Sequence, residues 1–184
     1  WTVVYMSDSV SKPADSPSST EAATYANAAG QVNALADAYP PVIAITSGTS
    51  ISESAAVVFN KPALILGGCG SATWTRVSDT ATSRISLANL GNGTALTIGA
   101  GAAGTLFDRM DIQQPNSLNI TAASANSIAV AGAATFRGCV IAASGAVTIN
   151  ASVSALDYQF INVGAATLFR DCVIKATNVV VELP

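Results

Sequence analysis

The chain has no histidine. Ser-His-Asp and Cys-His hydrolysis, His-ligated zinc and a histidine general base are excluded with it. Charge is scarce: charged residues fill 10% of 184 positions, against a usual share of about 25%. Eight Lys+Arg stand against eleven Asp+Glu, for a net charge of -3, which excludes a basic nucleic-acid-binding face. Aromatics are only 6%, so the 50% hydrophobic share is carried by Ala, Val, Ile and Leu. So much apolar mass with so little net charge excludes intrinsic disorder. No apolar run reaches the roughly 18 residues of a membrane span. The three cysteines, Cys69, Cys139 and Cys172, are too few and too widely spaced for a disulfide framework or a zinc site, and read as buried free thiols. No signal-peptide pattern is present and residue 1 is Trp. The closing run Val179-Val180-Val181-Glu182-Leu183-Pro184 reads as a strand. Both ends predict a processed chain or a segment of something longer.

Residues 1–41 read as an N-terminal arm and a capping helix. Ser7 to Ser19 is polar, with Pro13 and Pro17, and predicts an irregular arm. Ser18-Ser19-Thr20-Glu21 fits a capping box, with Ser18 as N-cap and Glu21 at N3. Tyr25, Ala29, Val32, Ala36 and Tyr39 then recur at steps of three and four, one apolar stripe of a helix that Pro40-Pro41 ends. Gly30 weakens that helix by about 1 kcal/mol relative to Ala, so it must dock its stripe on something apolar.

From Val42 to the end the helical period is gone. Short apolar runs alternate with Gly, Ser, Asn and Thr: Val42–Ile45, Ala56–Phe59, Ala63–Leu66, Arg84–Leu87 and Ala95–Ile98. This predicts an all-β region over 42–184. A repeat then narrows the fold. Residues 95–112 read ALTIGAGAAGTLFDRMDI, 127–141 read SIAVAGAATFRGCVI and 159–174 read QFINVGAATLFRDCVI. The frame is an apolar strand, Gly-Ala-Ala, Thr, Phe, two polar or Gly residues, and a second strand closed by Ile. Its glycines, Gly101, Gly132 and Gly164, lie 31 and 32 residues apart. A third strand falls between copies, at 118–121, 146–149 and 178–181.

A repeat of about 30 residues holding three strands is the size of one coil of a parallel β-helix, with neighbouring coils about 4.8 Å apart and equivalent side chains in columns. The predicted inward columns are Phe107/Phe136/Phe169, Met110/Cys139/Cys172 and Ile112/Ile141/Ile174. Asp108-Arg109, Arg137-Gly138 and Arg170-Asp171 read as tight corners that leave their charges in water.

The FRGCVI and FRDCVI strings, with Glu53–Gly70 as first coils, resemble the right-handed parallel β-helix superfamily, the pectin-lyase-like fold. The helix followed by a strand at Val42 resembles the entry region of phage tailspike and fibre members. There a helix covers the open end of the first coil, where unpaired backbone invites edge pairing. The resemblance implies a right-handed solenoid that continues, as an expectation, beyond the chain end.

Catalytic members of that family carry acidic clusters on one outer face. Here the strand-borne acids are Asp108, Asp111, Asp157, Asp171 and Glu182, with Asp108/Arg137/Arg170 in one column and Arg109/Gly138/Asp171 in the next. That pattern reads either as a small acid/base patch or, as preferred here, as solvated corners with compensating charges. No two carboxylates share adjacent coils in one column, so the paired acids of glycoside hydrolysis are not evident, and a several-carboxylate Ca²⁺ site cannot be assembled at one address. Gly91-Asn92-Gly93 and Gly99-Ala100-Gly101 lack the Lys and helix of a phosphate loop. Asn92, Asn119 and Asn150 open glycosylation sequons at a rate this Ser/Thr-rich chain gives by chance. Trp74 and Tyr158 read as sugar-stacking or, more simply, core or rim residues.

No catalytic, cofactor-binding or metal residues are assigned. The expectation is a non-enzymatic structural or attachment component of an extracellular or virion assembly: a spike, fibre or capsid-associated element. It would act as a homo-oligomer, a trimer among the options, or beside neighbouring structural proteins. A cell-surface glycan is an open partner. The alternatives are a polysaccharide lyase, hydrolase or sugar-binding domain, and a bacterial surface adhesin.

Overall fold

In the computed structural model the described residues are 2–8, 11, 20–36, 39–75, 77–78, 80–88, 90, 95–113, 126–130, 134–142, 146–150, 159–163, 168–175 and 178–182. In chain order they form β1 (Val3–Met6), β2 (Thr20–Glu21), α1 (Tyr25–Ala34), β3 (Val42–Thr46), β4 (Ser50–Ser52), β5 (Val57–Phe59), β6 (Leu64–Cys69), β7 (Ser83–Ser86) and β8 (Leu96–Ile98). A single 3₁₀ turn at Ala100–Ala102 precedes β9 (Thr105–Asp108), β10 (Met110–Gln113), β11 (Asn126–Val130), β12 (Ala134–Arg137), β13 (Val140–Ala142) and β14 (Ala146–Asn150). The last strands are β15 (Gln159–Val163), β16 (Leu168–Arg170), β17 (Val173–Lys175) and β18 (Asn178–Glu182).

The strands build three open parallel sheets: a seven-stranded one in the order β16-β12-β9-β6-β3-β1-β2, a five-stranded one in the order β17-β13-β10-β7-β4, and a six-stranded one in the order β18-β14-β15-β11-β8-β5. From β3 to β14 the chain visits them in the same rotation. β3, β4 and β5 make one pass, β6, β7 and β8 the next, β9, β10 and β11 a third and β12, β13 and β14 a fourth. β15 then returns to the six-stranded sheet, seated between β14 and β11, before β16, β17 and β18 visit the three sheets again. All the apolar runs read from the sequence between Val42 and Ile98 are strands.

Register aligns equivalent residues from pass to pass. Val4, Ile43, Ile65, Phe107, Phe136 and Phe169 are successive partners in the seven-stranded sheet. Ile51, Ile85, Ile112, Ile141 and Ile174 are successive partners in the five-stranded one. Phe59, Ile98, Val130 and Val163 do the same in the third. Period-2 alternation sends these positions to one face of each sheet, and where side chains are described they join one core with Met6, Val57, Leu96 and Met110.

Three sequence expectations need correction. First, the period is not constant: the register steps along the seven-stranded sheet are 22, 42, 29 and 33 residues. Only the last two approach the expected 31. The long step includes the connection from β6 to β7, whose length the apolar pattern could not size. Second, β14 and β18, expected as a separate third strand, lie in the same sheet as β11 and β15. Residues 118–121 lie outside the described part.

Third, the helix starts later and ends earlier. Thr20 and Glu21 are drawn into β2, paired with Val4 and Tyr5. Thr24 is the N-cap, its Oγ1 accepting from Asn27 N at 3.1 Å. The helix stops at Ala34, so Tyr25, Ala29 and Val32 are buried as expected, whereas Ala36 and Tyr39 are exposed. Ser18 and most of the Ser7–Ser19 arm lie outside the described residues.

A second acceptor at the helix start comes from far along the chain. The buried Glu53 carboxylate accepts from Tyr25 N at 2.7 Å and Ala26 N at 3.3 Å. It satisfies two of the four N–H groups a helix start leaves open, and its charge suits the positive helix end. Glu53→Ala is expected to cost about 1–2 kcal/mol, read as a shift in urea midpoint. An unchanged midpoint would remove Glu53 from this role.

The buried Tyr25 phenol, its Oη 3.5 Å from Arg84 O, has its pKa raised well above the ordinary 10.0 by burial and then by the Glu53 charge. The unfolded chain therefore releases this proton at a lower pH than the folded one. Stability linked to Tyr25 is complete below about pH 10 and falls by about 1.4 kcal/mol per pH unit above it. In Tyr25→Phe the alkaline decline is expected to be shallower by that amount; equal slopes would contradict it.

The helix also covers an open edge. β5 ends the six-stranded sheet. Asn33 Nδ2 donates to Val58 O at 2.8 Å, and Asn33 Oδ1 accepts from Asn60 N at 2.8 Å. One side chain thus takes a donor and an acceptor from the strand that would otherwise face solvent.

Candidate functional site

The chemistry-bearing residues gather where the seven- and five-stranded sheets meet, at the corner between β9 and β10 and its equivalents. Each corner turns on one residue in the left-handed region: Arg109 at φ 59, Gly138 at φ 58 and Asp171 at φ 54. Arg109 N donates to Arg137 O, and Gly138 N to Arg170 O, both at 2.9 Å, so the corners are laced to one another. A Cβ on Gly138 would stand 3.0 Å from Arg109 Cδ, Nε and Cζ. The glycine leaves room for the arginine stem of the pass before it.

The corner charges are not all in water, as the sequence suggested. Asp108 is 5% exposed. Arg137, its register partner, donates to it twice, Nη2 to Oδ2 at 2.6 Å and Nε to Oδ1 at 3.1 Å. This hydrogen bond raises the Arg137 pKa. Asp111, also buried, accepts from Arg84 Nε at 2.8 Å and from Gln113 Nε2. Arg170 and Asp171 pair at 3.5 Å on the exposed last corner. Each of these carboxylates is matched by an arginine, and the two buried ones are matched across passes. The arrangement neutralises charge between passes. Among the described residues no group of three His, Cys, Asp or Glu gathers to hold a metal.

Residues of the repeat lie beside the corner. The Phe107 and Phe136 rings stack at 5.0 Å and 10°, and Phe136 and Phe169 at 5.0 Å and 8°. Ile112 and Ile141 are buried register partners, and Ile174 continues the pairing. Met110 and Cys139 are buried, and Cys172 is half-buried. Cys139 Sγ lies 3.5 Å from Phe107 O and Cys172 Sγ lies 3.3 Å from Phe136 O, the same acceptor one pass apart. The neighbouring Cys139 thiol lowers Cys172 to about 6, against its burial, and the Cys172 thiol followed by burial pushes Cys139 up.

A second region stands at the other end. Tyr5 on β1 meets Trp74 edge to face, with centroids 4.6 Å apart. They line a cavity of about 360 Å³ together with Ser7, Asp8, Ser11 and Glu21. Trp74 sits at φ 54, a strained conformation for a bulky residue. Its turn is held by Trp74 N donating to Gly70 O at 2.8 Å and Gly70 N to Thr75 O at 2.7 Å. The sequence singled out Trp74 but not Tyr5, Asp8 or Glu53, whose partners are distant in the chain. Of the weaker signals, Gly101 is explained by packing, since a Cβ there would stand 2.7 Å from Asn60 O. Gly91–Gly93, Asn119 and Tyr158 lie outside the described residues. Among those described, no helix is long and apolar enough to cross a membrane.

The chain matches no family model, no curated protein and no solved structure.

Proposed function

We propose that the three sheets are the faces of a right-handed parallel β-helix, and that this helix is a non-enzymatic structural or attachment element of an extracellular or virion assembly. The observation that carries the reading is the continuity of the columns. The same core address is filled in pass after pass, while the corner carboxylates are matched by arginines. Such a body derives stiffness from backbone hydrogen bonds that run along one axis, and its surface, poor in charge, can pack beside other subunits with little desolvation cost. A spike, fibre or capsid-associated protein uses those two properties; a bacterial adhesin would use them equally. The test is light scattering with negative-stain microscopy on the full chain. Elongated particles in a defined homo-oligomer, a trimer for instance, support the reading. A compact monomer that associates with nothing counts against it.

The Tyr5–Trp74 cavity favours one second reading, a sugar-binding β-helix. An aromatic pair beside hydroxyl and carboxylate acceptors suits a neutral saccharide, and the volume lies near the low end of the roughly 300–1,000 Å³ of ligand pockets. Quenching or enhancement of tryptophan fluorescence by neutral saccharides, lost in Trp74→Ala, would support it. A flat response across a glycan array would remove it.

A further inference from the structure

The columns hold one pair of groups that packing alone does not require to be reactive. Cys139 and Cys172 follow one another at the same address, since Val140 and Val173 are register partners and Val173 N donates to Cys139 O at 2.9 Å. Neighbouring strands lie about 4.8 Å apart, inside the Cα separation of about 4.4–6.8 Å that a disulfide spans. The two sulfurs are unequal. Cys139 is 1% exposed. Cys172 is half-buried, between the edge strands β16 and β17. Earlier in the column stand Met110 and Ser83, which cannot form such a bond.

We propose that Cys172 and Cys139 form a reactive dithiol site for low-molecular-weight disulfides, with Cys172 the attacking sulfur and Cys139 the resolving one. In the first step the Cys172 thiolate attacks one sulfur of R–S–S–R. The new bond is Cys172 Sγ–S–R, the old S–S bond breaks, and RS⁻ leaves. In the second step Cys139 gives up its proton and attacks Cys172 Sγ. The Cys139–Cys172 bond forms and a second RS⁻ leaves. Two protein thiols are oxidised, one external disulfide is reduced, and the two thiol protons end on the two RS⁻. The product is a covalent cross-link between neighbouring passes.

The unequal thiols support the direction of attack. The Cys139 thiol beside it favours a thiolate on Cys172, the more exposed partner, while its own burial and the Asp171 carboxylate work the other way. A thiol with a pKa of about 6 is largely thiolate at neutral pH. Cys69, buried and far along the chain from the pair, serves as an internal comparison.

The experiment treats the reduced full chain with oxidised glutathione and follows peptides by mass spectrometry. The expected product is a peptide linked through Cys139 and Cys172, with Cys69 unmodified and the thermal midpoint raised by about 5 °C. Cys139→Ala is expected to stop at a glutathione adduct on Cys172, and Cys172→Ala to leave Cys139 unmodified. Alkylation of wild-type Cys172 by iodoacetamide is expected to reach its plateau by about pH 7, and in Cys139→Ala to keep rising to about pH 9. The wild-type measurements stand even if a variant fails to fold. Modification of Cys172 no faster than Cys69 would overturn the proposal, as would a glutathione adduct that persists in the wild type.

Discussion

Phe136→Ala is expected to destabilise the fold by about 3–5 kcal/mol, a fall in thermal midpoint of about 10 °C. Phe136 is fully buried, and its ring is stacked at 5.0 Å on both faces, against Phe107 and Phe169. Truncation removes the apolar burial and opens a gap that neighbours cannot fill. Phe107 and Phe169 sit on different strands, each fixed to β12 by register. Closing the gap would shift two strands at once. Phe169, only partly buried against the same cluster, should give roughly half that effect as Phe169→Ala. Chemical denaturation of the three proteins decides it. A loss under about 1 kcal/mol for Phe136→Ala would mean that the stack is not part of the cooperative core.

Gly68→Ala is expected to be comparably severe, at about 2–5 kcal/mol. Two costs combine there. Gly68 has φ +71, and a Cβ would stand 2.3 Å from Ala81 O and 2.8 Å from Ala81 C. Both are backbone atoms, so a rotamer change cannot relieve the clash. The same backbone is tied down by Gly68 N donating to Ser83 Oγ at 2.9 Å, while Ser83 Oγ donates to Thr46 O at 2.8 Å. Gly48 is the control. Its φ is +80, yet nothing lies within 4 Å of its Cβ position, so Gly48→Ala should cost only about 1–2 kcal/mol. Equal losses in the two variants would show that the close approach of residues 68 and 81 contributes nothing.

The parts of the fold that the sequence announces are those where one local rule suffices. Val42–Ile45, Ala63–Leu66 and Ala95–Ile98 are short apolar runs between Gly, Ser and Pro, and they are strands. The Phe, Cys and Ile of the repeat recur in a frame that a parallel register preserves. What stays hidden depends on partners distant in the chain. Ser18 to Glu21 has the pattern of a helix start, but β1 captures Thr20 and Glu21, and Glu53 supplies the carboxylate that Glu21 was expected to supply. Asp108 looks like a corner charge destined for water until Arg137, one pass on, is seen to cover it. The 42-residue step between β6 and β9 hides in a loop whose ends, not length, are encoded by apolar residues. Trp74 was visible as an aromatic; its partner Tyr5 belonged to a strand with no turn signal to mark it.

The central claim is that equivalent positions on successive passes are neighbours in parallel register. Spin labels at Thr135 and Leu168, register partners beside the Phe stack, test it directly in a background lacking the native cysteines. Labels one pass apart should sit about 5 Å apart at the backbone, and labels at Leu106 and Leu168, two passes apart, about 10 Å. The account predicts strong spin-exchange broadening for the first pair and weaker dipolar broadening for the second. Sharp, isolated nitroxide spectra from Thr135 and Leu168 would contradict it.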